Sequence, residues 1–207
     1  AMVRIEDIYD SSLKLDTFAF LRFLITEKFR KKTIVTCSLR GRSVVLMKMI
    51  SEIDASTPIV FCHMPNIYPE SVEYRTWLIR ELGLSDIREP AENDRGPAAD
   101  DCNHSEMLWA ENPIDHTRAY MTLDLNLTLS DCECWISGVY PGPYTDAAGP
   151  QVTEEGKLIR VDPLASWNKD RVRGFLREND LPFHPQAMLR NPEPTTENTE
   201  TVPTYHF

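Results

Sequence analysis

A short polar link, Ser38-Leu39-Arg40-Gly41-Arg42-Ser43, lies between an apolar β-branched run and a helical pattern. A helix that starts at such a link offers unpaired N–H groups and the positive end of its dipole, which suits an anion. Arg40 and Arg42 add planar guanidinium forks that bind phosphate or carboxylate bidentately, with Ser38, Gly41 and Ser43 around them. The competing reading is a plain strand-to-helix turn with solvated arginines. One glycine and no P-loop lysine pattern leave that reading open.

Two more links can meet the first. His63-Met64-Pro65-Asn66-Ile67-Tyr68-Pro69-Glu70-Ser71 follows a second apolar run. His63 and Met64 then sit at a strand end, and Glu70 falls in a helical first turn, where a carboxylate is also favoured by the dipole alone. The third link begins at Gly138, after Trp135-Ile136-Ser137. In an open parallel sheet, ligands bind beyond the carboxyl ends of the strands, where the strand order reverses. The candidate contacts are therefore Ser38, Arg40, Gly41, Arg42, Ser43, His63, Met64, Glu70 and Gly138.

The elements that would position these residues are readable from periodicity. Leu15, Phe18, Leu21, Ile25 and Phe29 recur at helical spacing, as do Leu46, Met49, Ile50 and Ile53. Residues 33–37 and 58–62 read as buried strands. Pro69 opens a helix lined by Val72, Ile79 and Leu82 and stopped at Gly83. Ile87 opens a third strand, 134–138 form a fourth, and 157–161 lead to a helix capped by Asn168 and carrying Val172, Phe175 and Leu176. Residues 92–102 read as a surface loop, helical patterns return at 106–111 and 117–129, and 139–150 read as irregular. Apolar strands separated by amphipathic helices predict an α/β fold: a doubly wound, mainly parallel sheet of about five strands.

The five cysteines are Cys37, Cys62, Cys102, Cys132 and Cys134. An odd count without a secretory signal argues against a disulfide framework. Cys37 and Cys62 end apolar runs and read as small buried hydrophobes. Cys132-Glu133-Cys134 is a lone C-x-C without a second pair at metal-binding spacing.

One stretch carries a family resemblance. Val161-Asp162-Pro163-Leu164-Ala165-Ser166-Trp167, continued by Leu181-Pro182-Phe183-His184-Pro185, resembles the V-x-P-L-a-x-W junction and L-P-[YF]-x-P exit of the sulfonucleotide reductases. That family reduces phosphoadenosine phosphosulfate or adenosine phosphosulfate to sulfite. The resemblance covers about residues 30–186 and implies an adenine-nucleotide alpha hydrolase-like fold with an adenine nucleotide across the three links. Ser38 and Ser43 match the ends of the family's phosphate loop, Tyr68-Pro69-Glu70-Ser71 its F-P-E-T segment, and Trp135-Ile136-Ser137-Gly138 its W-[IL]-[TS]-G.

The departures are as specific. After Gly138 the family continues with arginines that grip the phosphosulfate, but here no Arg or Lys occurs before Lys157. Cluster-bearing members have a C-C pair and a later C-x-x-C; here the first position reads Asp115-His116-Thr117-Arg118, so no iron–sulfur cluster is expected. The family's C-terminal E-C-G-[LI]-H nucleophile has no counterpart in residues 199–207. A thiolate must take the sulfonate, so reductase activity is not expected of this chain alone. Two alternatives stand beside a divergent reductase-like nucleotide binder. One is a cysteine-free ATP pyrophosphatase or adenylyl-transferring enzyme, which would use Mg²⁺. The other is a non-catalytic module that senses nucleotide or binds a partner.

The chain has 207 residues, 42% of them hydrophobic, and a net charge of −10. This supports one α/β nucleotide-binding domain over 1–186. The tail, 187–207, is expected to be extended or disordered and available for a protein partner or a second copy. The acidic balance argues against a nucleic-acid surface. No apolar run reaches a membrane span and Ala1-Met2-Val3-Arg4 shows no secretory pattern, so a cytoplasmic protein is expected.

Overall fold

The computed structural model describes residues 5–61, 69–88, 131–138, 148–155 and 157–183. His63 and Met64, the helical patterns at 106–111 and 117–129, and the tail at 187–207 lie outside the described residues.

Helix α1 (Ile5–Lys14) is followed by α2 (Thr17–Phe23), which Asp16 caps by accepting from the Ala19 N–H, and α2 widens into a π-turn over Leu24–Lys28. Strand β1 (Thr33–Cys37) leads into α3 (Gly41–Asp54), then β2 (Ile59–Phe61), α4 (Pro69–Leu82) and β3 (Ile87–Arg88). Strand β4 (Cys134–Ser137) precedes β5 (Gln151–Glu155) and β6 (Leu158–Asp162), and α5 (Lys169–Glu178) closes the described fold.

These strands make one six-stranded sheet in the order β3-β2-β1-β4-β6-β5. All pairs are parallel except β5 with β6. The predicted α/β class holds, and an antiparallel edge strand is added. Residues 139–150 were read as irregular, but β5 begins just beyond them and pairs Glu155 with Leu158 across a short connection.

Side chains along a strand alternate between faces. Val35, Ile59, Ile136 and Val161 lie in register and build the main core, into which Leu21, Leu46, Tyr74 and Leu176 pack from the helices. Ile34, Val60 and Trp135 form a smaller buried cluster on the other face. Helix α3 is buried almost all round from Arg42 to Met47, as a helix wedged against a sheet must be.

The stripe expected on α4 is turned. Val72 is 50% exposed, and the buried positions are Ser71, Tyr74, Leu78 and Leu82. These keep three-to-four-residue spacing, and Tyr74 is the large residue that selects this face. Its Oη donates to the Pro182 carbonyl at 2.7 Å, tying α4 to the segment after α5. Gly83 ends the helix at φ +64°, a left-handed position that glycine adopts without strain.

Candidate functional site

The chain adds β2 and β3 on one side of β1 and then crosses to add β4 on the other. The order therefore reverses between the parallel strands β1 and β4, and the crevice beyond their carboxyl ends is the topological switch point. The structure brings Ser38, Gly41, Arg42, Ser43 and Gly138 together there. The Ser38 N–H donates to Ser43 Oγ at 2.9 Å, and Ser43 Oγ donates to the Gly138 carbonyl at 3.2 Å. A hydroxyl has one proton, so the 3.2 Å contact between the two serine hydroxyls is donated by Ser38. Ser38 Oγ in turn accepts the Arg40 N–H at 3.1 Å. This chain of bonds links the loop after β1, the first turn of α3 and the end of β4.

Both glycines permit close approach. A Cβ on Gly138 would lie 2.7 Å from Ser43 Oγ and 3.1 Å from Ser43 Cα, so a side chain there would push α3 off the sheet. A Cβ on Gly41 would lie 2.8 Å from Val172 Cγ1, at the crossing of α3 and α5.

The two arginines part company. Arg40 is exposed and occupies the N-cap of α3 in extended conformation, making no side-chain cap bond. Arg42 belongs to the first turn of α3 rather than to an exposed loop, and only 6% of it is accessible. Its Nε and one terminal nitrogen donate to the Trp167 carbonyl at 3.3 and 2.9 Å, and that nitrogen also reaches the Ala165 carbonyl at 3.3 Å. Glu70 is exposed in the first turn of α4.

Sequence reasoning missed two cations, one at the end of β2 and one in the middle of β6. Arg75 of α4 lies over the Phe61 ring at 4.8 Å, where β2 ends, and its burial lowers the guanidinium pKa. Arg160 of β6 is buried on the second face, stacked over Trp135 at 4.6 Å. It also grips Asp162 with two bonds of 3.1 and 3.0 Å. Trp135 Nε1 donates to Thr36 Oγ1 at 2.7 Å, so this network crosses β1, β4 and β6. The signal for Arg160 was its i, i+2 spacing to Asp162 in a strand, which puts both on one face.

The described cysteines do not converge. Cys37 is buried at the end of β1, Cys134 is buried at the start of β4, and Cys132 packs against the opposite cluster. Burial pushes the Cys134 thiol far up, and desolvation also raises Cys132, opposed in part by Arg88. The described cysteines do not make the donor set of an iron–sulfur cluster. Among the described residues no group of three or more His, Cys, Asp or Glu is placed to hold a metal ion. Among them also, no helix is long and apolar enough to cross a membrane.

The family model of the phosphoadenosine phosphosulfate reductase domain matches residues 32–187. The chain belongs to that family. It is 30% identical over 182 residues to an adenosine 5′-phosphosulfate reductase of Chelativorans sp. (strain BNC1), covering 78% of this chain and 66% of the relative. The corresponding enzyme of Salinibacter ruber is 25% identical over 146 residues, or 69% of this chain and 57% of the relative. The chain thus spans less than two thirds of these relatives. The fold is similar to the crystal structure of a phosphoadenylyl-sulfate reductase from Candida auris in a phosphate complex. The TM-score is 0.64 at 16% identity, over 91% of this chain and 93% of that one.

Proposed function

We propose that this domain binds an adenine nucleotide of the sulfonucleotide class, with an anionic group at the start of α3. The observation that carries the reading is the laced junction of Ser38, Ser43 and Gly138 at the switch point, in a chain of this family. Helix α3 supports it by contrast with its neighbours. Asp16 caps α2 and Asn168 caps α5 through side chains, and α1, α4 and α5 carry an acid in the first turn. The first turn of α3 has no acid and no side-chain cap from Arg40. A ligand anion would supply negative charge that the helix's own first turn does not carry. The relative from Candida auris was solved as a phosphate complex, in keeping with this class of ligand.

In this reading Arg40 and the N–H groups of the first turn bind the anion, and Arg75 adds positive charge beside β2. Gly138 keeps the end of β4 close enough to form the other wall. His63 and Met64, which follow β2 in the sequence, complete the proposed contacts.

Transfer of the sulfonate needs a thiolate. No cysteine follows Cys134 in the sequence, and Cys37 and Cys134 are buried. We therefore assign to residues 1–207 the binding and orientation of the nucleotide, with the attacking thiolate supplied by a protein segment other than these.

Calorimetry against ATP, AMP, adenosine 3′,5′-bisphosphate, adenosine 5′-phosphosulfate and phosphoadenosine phosphosulfate tests the ligand class. Binding of at least one sulfonucleotide or the bisphosphate is expected; no heat from any of them at millimolar concentration refutes the reading. Sulfite release with thioredoxin, assayed on the protein alone, tests the assignment of the thiolate. Turnover by the chain alone would overturn it.

A further inference from the structure

We infer that Arg42 is a positioning residue, which fixes the anion-binding start of α3 to the turn that follows β6. This rests on the nucleotide reading and gives Arg40 and Arg42 different tasks. Residues two apart on a helix do not share a face. Arg40 is exposed at the helix mouth, whereas Arg42 is 6% accessible and directed into the protein.

What Arg42 holds is the turn between β6 and α5. Residues 163–166 form the turn between β6 and α5, closed locally by the Ala165 N–H on the Asp162 carbonyl and the Trp167 N–H on the Leu164 carbonyl. The Ala165 and Trp167 carbonyls project from it and need donors once buried. Arg42 supplies these from 123 and 125 residues away. The planar fork matters because one nitrogen reaches both carbonyls while Nε reaches the second again. A lysine brings a point charge without that geometry.

The turn is itself fixed on its far side. Trp167 Nε1 donates to Thr17 Oγ1 at 3.1 Å, Phe175 packs edge-on against the Trp167 ring, and Arg171 lies 3.9 Å over it. Asn168 then caps α5, whose Val172 meets Gly41. Arg42 and Gly41 are therefore two adjacent ties between the first turn of α3 and one rigid block. The N–H groups offered to an anion belong to that same first turn, so its placement follows the block.

The test uses Arg42→Lys and Arg42→Gln, the second able to donate to one carbonyl if the first fails to fold. Calorimetry would compare adenosine with adenosine 3′,5′-bisphosphate, and amide hydrogen exchange would follow residues 41–44 and 165–168. The expected result is faster exchange at 41–44 and about tenfold weaker bisphosphate binding, with adenosine changed less than about twofold. That size follows by analogy with outer partners of metal ligands, whose loss misplaces a donor set without removing it. Unchanged exchange and unchanged bisphosphate affinity in a folded variant would overturn the inference while leaving the nucleotide reading intact. Equal weakening of adenosine and bisphosphate would also overturn it, reducing Arg42 to a support of the whole fold. If the parent protein binds neither ligand, the nucleotide reading itself falls and takes this inference with it, an outcome visible before any variant is made.

Discussion

The carboxyl end of the sheet and the cavity at its amino end are built differently. At the carboxyl end, polar side chains bond across long stretches of sequence: Ser43 to Gly138, and Arg42 to Ala165 and Trp167. At the amino end, a cavity of about 430 Å³ opens between the starts of β1 and β2, lined in part by Arg30, Lys31, Thr33, Asp54 and Thr57. Its hydroxyls close their own turns. Thr57 bonds the Asp54 carbonyl, Ser56 bonds the Asp54 carboxylate, and Thr33 bonds the Phe29 carbonyl four residues back. The cavity has volume and cations, yet its polar groups serve local structure. The carboxyl end spends its polar groups on holding separate loops in one arrangement, as a preorganised site requires.

The largest expected effect lies at the buried ion pair of β6, on the sheet's second face. Arg160→Met should cost about 3–5 kcal/mol in urea unfolding, because it leaves the Asp162 carboxylate buried without its cation. The pair is almost inaccessible, at 2% and 6%. Replacing Asp162 by Leu in the same protein should recover much of the loss, since an apolar pair of similar volume is tolerated. A cost under about 1 kcal/mol for Arg160→Met would show that the buried pair adds no more to the sheet than an exposed one.

Gly138→Ala comes next. The new methyl would meet Ser43 at backbone as well as side chain, so about 1–3 kcal/mol of stability should go, with loss of nucleotide binding in calorimetry. Gly41→Ala should cost less, because its nearest neighbour is a methyl of Val172. Equal effects at the two glycines would mean that α3 moves as a unit rather than being pinned at Gly138.

Much of this architecture could be read before any coordinates, for a physical reason. Parallel strands buried on both faces read as continuous apolar runs, which is how 33–37 and 134–138 announced themselves. Strand β5 escaped because an edge strand needs little burial: Gln151-Val152-Thr153-Glu154-Glu155 holds one apolar residue. Helix α1 escaped likewise, burying only Ile8 and Ser12. The burial of Arg42 was available and unused. It stands one turn before Leu46, on the same stripe as Met49 and Ile53, so the helical period already turned it inward. The pairing of Ser43 with Gly138 was not available, because only the sheet order brings residues 95 apart together.

At the amino end the expected effects are smaller, and Lys31→Gly has the opposite sign. Lys31 holds φ at 60°, a left-handed conformation that costs an ordinary residue about 1–2 kcal/mol. Glycine relieves this strain but gains freedom in the unfolded chain, so a net stabilisation of about 0.5–1 kcal/mol is expected in thermal unfolding. Destabilisation would show that Lys31 contributes a contact that outweighs its backbone strain.

The smallest effect is the sharpest control on where ligand binds. Arg30 lines the amino-end cavity and is exposed, so Arg30→Ala should change stability by no more than about 0.5 kcal/mol. It should leave the affinity for adenosine 3′,5′-bisphosphate unchanged at moderate salt. A bare long-range charge effect would be screened beyond a Debye length of about 10 Å at 0.1 M salt. Calorimetry at low and moderate ionic strength therefore separates two outcomes. A small loss that vanishes with salt is the field of one missing cation acting from a distance. A loss that persists as salt rises means direct contact at the amino end, and would move the nucleotide from the laced loops into the cavity.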